Sequence, residues 1–172
     1  MNWLEAVNLE LGAAFAMLEN AIINADENVW NNTGDYHPFW SIAYHTIFFC
    51  HFYFSDFNPN VVNVEKEYQL PNYMLEWSKY YDFDLTVDSV PSKEILVQFL
   101  KETREELRSR FLTDVKNQVD ELATSWSPNE TMPKGTMLLY VMRHIMQHVG
   151  QLNMLLRKAG LKTSEWQTLI QV

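Results

Sequence analysis

The sequence is poor in cysteine, glycine, proline and positive charge, and each shortage narrows what the chain can be. Cys50 is the single cysteine, so no intrachain disulfide can form, and a reducing cytoplasm is the expected compartment. Only 5 glycines and 6 prolines interrupt 172 residues, which favours helices. The formal net charge of -9 argues against a nucleic-acid partner, because phosphate contacts need clustered Lys and Arg.

Long hydrophobic runs are missing as well. Apolar runs such as residues 137–141 fall far short of the roughly 20 residues that span a bilayer, so no membrane partner is expected. The first residues also lack the basic start and apolar core of a secretory signal. With 47% hydrophobic residues, the chain can bury a substantial core, and residues 1–172 are expected to form one domain.

Apolar periodicity predicts four long helices. Side chains such as Leu4, Val7 and Leu11 recur at the three-four spacing of an amphipathic helix. Ser92 is a candidate cap for the start of helix three, and Gly160 is a candidate left-handed cap after helix four. The four predicted helices cover roughly residues 3–25, 38–56, 91–122 and 136–159.

The connections between these helices differ in length. Residues 31–38 and 125–135 are dense in turn formers and predict loops, and residues 163–170 predict a short terminal helix. Residues 57–90 predict a long crossover between helices two and three, whose aromatic side chains suggest a packed cap. The expected fold is therefore all-α, a four-helix up-down bundle with one long crossover.

Two histidines of helix four point to a metal site. His144 and His148 are four residues apart, so both imidazoles lie on one face of the helix. Val141, Leu152 and Leu155 share that face, which directs the pair towards the core, where unpartnered imidazoles would be costly. A metal ion is the simplest partner for both rings.

A metal needs at least one further ligand, and His45 is the best candidate in helix two. It lies on a stripe with Phe48, Phe49 and Phe52, so it faces the core too. Three imidazoles with open positions left for water or substrate suit Zn or Ni, with Fe, Mn or Co as further options. The competing interpretation is three separate core histidines, each satisfied by its own hydrogen bond.

These residues carry a family resemblance. The stretch WSIAYH at residues 40–45, followed in helix four by HIMQHVGQL at residues 144–152 and then by Arg157 and Gly160, resembles the DinB-like family of metal-binding four-helix bundles. The match covers helices two and four, whereas helices one and three agree only in pattern. Carried over residue by residue, the resemblance implies that His45, His144 and His148 are the metal triad.

Several neighbours of the triad have weaker assignments. Gly150 is expected to admit a neighbouring helix, because a glycine inside a helix otherwise costs about 1 kcal/mol. Gln151 is a candidate hydrogen-bond partner of His148, with a plain polar surface role as the alternative. Tyr44 and Tyr140 are candidates for the pocket wall, although core packing explains them equally well.

The remaining histidines and the cysteine are expected to stay outside the triad. His37 precedes a proline in a loop, and His51 is six residues after His45, roughly two-thirds of a turn off its face. Cys50 is expected to be a small buried apolar residue. Sequence motifs of other active sites are absent, including the Glu-x-x-His pairs of di-iron bundles and Gly-rich phosphate loops.

Two functions follow from the resemblance. The first is a metal-dependent thiol S-transferase, an isomerase or a hydrolase-like enzyme, in which a low-molecular-weight thiol attacks a small electrophilic substrate at the metal. The second is a non-catalytic, stress-related protein that binds a metal or a ligand. The resemblance also implies a homodimer.

Overall fold

The structure, a computed structural model, describes residues 3–32, 37–54, 90–118, 120, 122–124 and 131–168. Its helices are α1 (Trp3–Asn24), α2 (Glu27–Trp30), α3 (Phe39–Phe54), α4 (Lys93–Glu106), α5 (Leu112–Gln118) and α6 (Lys134–Lys158). A π-helical turn, Leu107–Phe111, joins α4 to α5. Strands β1 (Leu122–Thr124) and β2 (Thr131–Pro133) form one small antiparallel ladder. The predicted all-α class is confirmed for this part of the chain.

The four long helices pack around one hydrophobic core. Helices α1 and α3 each pack along both α4 and α6, whereas α1 and α3 touch each other only sparsely. The consecutive helices α1 and α3 therefore lie diagonally across the group. In a bundle in which each long helix packs beside the next one along the chain, α1 and α3 would instead be in extensive contact. The up-down alternation of helix directions stays a prediction.

Helix α1 is long and apolar enough to cross a membrane, judged by length and composition alone. More than half of its most apolar stretch is buried inside the fold, however, with Leu11, Leu18 and Ile22 fully enclosed. This burial is what a core helix of a bundle requires.

Predicted helix three is interrupted and shorter than the sequence suggested. Ser92 caps its start as predicted, because its side-chain oxygen accepts a hydrogen bond from the backbone N–H of Ile95 at 3.3 Å. The prediction that the helix continues to Leu122 is wrong. The last described helical residue is Gln118, and the backbone of Leu122 pairs with that of Pro133 in the ladder. Helix α6 correspondingly begins at Lys134, directly after the second strand.

The end of α6 follows the predicted cap, but the predicted terminal helix does not form. Gly160 has a φ of 73°, and its N–H and that of Leu161 bond back to the carbonyls of Arg157 and Leu156. Beyond it, residues 161–168 are irregular, because the backbone N–H and the hydroxyl of Ser164 bond to the amide of Asn153 on α6. These bonds replace the ones that a helix would make. Residues 169–170 lie outside the described part.

Three predicted connections are described only in part. The predicted crossover at 57–90 lies outside the described residues except for Val90, and residues 33–36 and 125–130 of the predicted loops lie outside them too. The described end of the first connection is fixed by α2, where the indole N–H of Trp30 donates to the carbonyl of Pro91 at 2.9 Å. This bond ties the segment after α1 to the start of α4.

Candidate metal centre

The two histidines of α6 lie beside its buried stripe. Val141, Ile145 and Val149 face the core, and His144 and His148 occupy the next positions around the helix, half-buried at the edge of that core. The sequence predicted rings directed into the core. At this edge the imidazoles are supported by apolar packing, and His148 reaches the wall of a cavity, whereas Nδ1 of His144 is buried.

Helix α3 brings the third histidine to the same place. His45 is half-buried and rests against Phe49, with their ring centroids 4.7 Å apart, and Phe49 also lies 6.2 Å from the ring of His144. One phenylalanine therefore packs against histidines from both helices. Because α3 packs against α6, this shared support keeps the rings together.

The three imidazoles converge through their Nε2 atoms. Nε2 of His144 lies 3.2 Å from Nε2 of His45 and 3.1 Å from Nε2 of His148. The three side chains form a group whose ligand atoms all lie within 4.8 Å of one another. The structure thus brings together all three residues that the sequence predicted as ligands.

These spacings fit a shared ion. Two nitrogens, each about 2.0–2.1 Å from zinc, are about 3.3–3.4 Å apart at the tetrahedral angle and about 2.8–3.0 Å apart at a right angle. The observed separations of 3.1 and 3.2 Å fall between these limits. Hydrogen bonds satisfy the cluster less well, because a single proton on Nε2 of His144 can serve only one of its two neighbours.

The charge states of the rings also suit metal binding. Burial, together with the nearby His148, lowers the pKa of His45 well below its ordinary value and lowers that of His144 to about 3. Burial lowers the pKa of His148 as well, against an opposing effect of its hydrogen bond to Gln151. At neutral pH the imidazoles are therefore uncharged, which is the form that binds metals.

Gln151 orients one of the ligands. Its side-chain Oε1 lies 2.7 Å from Nδ1 of His148, so Nδ1 carries the proton and donates it to this oxygen. The lone pair of His148 is then on Nε2, facing the other two histidines. The sequence predicted either this hydrogen bond to His148 or a plain polar surface role for Gln151. It has both, because its side chain is exposed while one atom bonds to His148.

A cavity of about 450 Å³ borders the cluster, with His148 in its wall. Ile42, Met154 and Leu155 supply apolar lining, and Lys158 contributes a cationic side chain. His37 also lines this cavity, although the sequence set it apart from the triad. Sequence reasoning missed Lys158 altogether. The available signal was spacing, since it follows His148 by ten residues on the stripe that includes Gln151 and Leu155.

The other residues singled out in the sequence have different surroundings. His51 pairs its Nδ1 with the Glu106 carboxylate at 3.0 Å, and Cys50 is fully buried, as predicted. Tyr44 is buried in the core, whereas Tyr140 stacks parallel to the ring of His144 at 6.5 Å.

The prediction that a neighbouring helix packs closely against Gly150 is wrong. Gly150 is exposed, and a Cβ added there would meet no atom of the described residues within 4 Å. Another reason must account for a glycine here, and nothing in the structure supplies one.

A helical bundle with three converging histidines defines a class of candidate metal-binding proteins. The sequence profile of the DinB superfamily matches residues 10–152, and the chain belongs to this superfamily. The match includes all three histidines and Gln151. No curated protein and no solved structure matches the chain significantly.

Proposed function

We propose that His45, His144 and His148 bind one divalent metal ion, with Zn or Ni as the expected metals and Fe, Mn or Co as alternatives. The observation that carries the proposal is the convergence of three Nε2 atoms at 3.1 and 3.2 Å, with one ring oriented by Gln151. Membership of the DinB superfamily supports the same assignment.

The proposed site has open coordination positions. Among the described residues, the group that is suited to a metal contains these three histidines and no carboxylate. A closed site would recruit a further side chain such as His37, His51 or an acidic residue; of these, His51 is engaged with Glu106, whereas His37 lines the cavity beside His148. A site with three protein ligands keeps room for water or substrate, which is the arrangement of catalytic zinc sites.

We further propose a metal-dependent transferase or isomerase that uses a low-molecular-weight thiol, with a hydrolase-like reaction as a variant of the same chemistry. A bound divalent ion would lower the pKa of a coordinated thiol and stabilise its thiolate as the nucleophile. The three histidines hold the reacting centre, and Gln151 fixes the tautomer of His148. The apolar side chains of Ile42 and Leu155 line the space beside it.

The test is a screen of the purified, metal-loaded protein with low-molecular-weight thiols and small electrophiles. Turnover should require both the thiol and the metal, should stop when a chelator removes the metal, and should return when Zn or Ni is restored. His144→Ala should be inactive under the same conditions, because it removes the central ligand of the three.

The second candidate is a non-catalytic protein that binds a metal or a small ligand in the 450 Å³ cavity beside His148. The mainly apolar lining of that cavity favours ligand binding with or without chemistry. A protein that holds its metal but shows no thiol-dependent turnover across a broad screen would support this second function. A cytoplasmic homodimer without a nucleic-acid or membrane partner completes the proposal.

A further inference from the structure

Lys158 is the one cation among the described residues that line the cavity beside His148. No described carboxylate lies within ion-pair distance of its ammonium group, in contrast to Lys162, which pairs with Glu165. A lysine in the last turn of a helix is usually explained by the negative end of the helix dipole. Arg157 lies in the same last turn and can interact with the helix dipole equally well, but it does not line the cavity.

The distance between Lys158 and the histidine cluster sets the length of a ligand that reaches both. The ten residues from His148 to Lys158 correspond to about 15 Å along the helix axis. The long lysine side chain can fold along apolar surface and shorten this span, so about 10–15 Å separates the ammonium group from the cluster. Between them lie Gln151, next to the cluster, and then Met154 and Leu155, which are apolar.

We propose that the cavity takes an elongated small molecule with an anionic carboxylate end, which Lys158 binds while the other end lies at the three histidines. The apolar wall of Ile42, Met154 and Leu155 fits an unbranched or weakly polar middle section. The cavity volume of about 450 Å³ is in the range that encloses small organic ligands. The inference rests on the proposed metal at the histidines and adds to it the class of molecule that is recognised.

The experiment uses full-length protein loaded with Co²⁺, whose visible spectrum changes when a thiolate enters its coordination shell. The probes are straight-chain thiols of increasing length, each compared as a terminal carboxylate and a terminal alcohol. 8-Mercaptooctanoate is long enough to approach Lys158, whereas 3-mercaptopropionate is too short. The carboxylate should bind about threefold to tenfold more tightly than the alcohol at the longer length and equally well at the shorter one.

Two variants separate a direct contact from a general effect of charge. Lys158→Gln should remove the preference for the long carboxylate and leave the affinity for the long alcohol unchanged. Arg157→Gln removes the same charge from the neighbouring position and should keep the preference. Circular dichroism checks that both variants retain the helical fold.

Each failure has a distinct meaning. A protein that binds the thiols but shows no preference for the long carboxylate overturns the role of Lys158 and leaves the metal site standing. Equal losses in Lys158→Gln and Arg157→Gln also overturn it, because the effect would then be one of net charge. A protein that binds no Co²⁺, or binds it without thiol-dependent spectral change, contradicts the proposed function and the inference together.

Discussion

Replacing Gln151 with alanine should weaken metal binding without disturbing the fold. The substitution removes the 2.7 Å hydrogen bond that holds Nδ1 of His148 in its protonated form. It touches no ligand atom, and the Gln151 side chain is exposed, so little packing is lost. Any loss of affinity therefore reports on the orientation of His148.

The size of the effect follows from that one bond. A hydrogen bond between neutral groups contributes about 1 kcal/mol net, which corresponds to about fivefold in affinity. Removal of such partners of metal ligands generally costs about 10–100-fold. Because water can reach Nδ1 and partly replace the exposed amide, the expected loss is at the low end, about fivefold to tenfold.

The assay is a competition titration for Zn²⁺ against a chromogenic chelator at pH 7.5. Gln147→Ala is the matched control, since Gln147 is exposed on the same helix and does not bond to the histidines. Gln151→Glu should bind more tightly than the wild type, because a carboxylate makes the stronger hydrogen bond to an imidazole ligand. If Gln151→Ala and Gln147→Ala both bind zinc as the wild type does, the orienting role of Gln151 is refuted.

Three further predictions concern stability. Gly150→Ala should stabilise the fold by about 0.5–1 kcal/mol, raising Tm by about 1–4 °C, because the added Cβ has open space in a helix. Gly160→Ala should instead destabilise it by about 1 kcal/mol, because the φ of 73° is strained for alanine; a Tm at or above the wild-type value would contradict this. In the metal-free protein, the lowered pKa of His144, about 3 when folded, means that the unfolded state binds the proton first as the pH falls below about 6.5. Its contribution to stability should therefore be complete above pH 6.5 and fall by up to about 2 kcal/mol by pH 5 in urea titrations. His144→Gln should remove that part of the pH dependence, and an unchanged slope would disprove the assignment.

The sequence was most informative where local periodicity and end signals agreed. Helix α1 and the cap at Gly160 follow from apolar spacing and from a glycine placed just beyond the last helical turn. The pairing of His144 with His148 was predictable because their four-residue spacing fixes a common face whatever the rest of the chain does, whereas the approach of His45 depends on how α3 packs against α6.

The errors arose where long-range contacts decide the conformation. Leu122 continues an apolar stripe, yet its backbone pairs with Pro133 across a connection that no helical pattern reveals. Ser164 was expected in a helix, but its bonds go to Asn153, eleven residues earlier. Likewise, the proposed role of Lys158 depends on a cavity formed between α6 and residues from elsewhere in the chain, including His37.

Metal stoichiometry in matched histidine variants tests the central claim most directly. Purified protein loaded with Zn²⁺ and freed of excess metal should contain about one ion per chain by elemental analysis. His148→Ala and His45→Ala should contain almost none while keeping the helical circular dichroism spectrum. His51→Gln should retain the metal, because His51 pairs with Glu106 outside the cluster. Full metal occupancy in His148→Ala or in His45→Ala would contradict the triad.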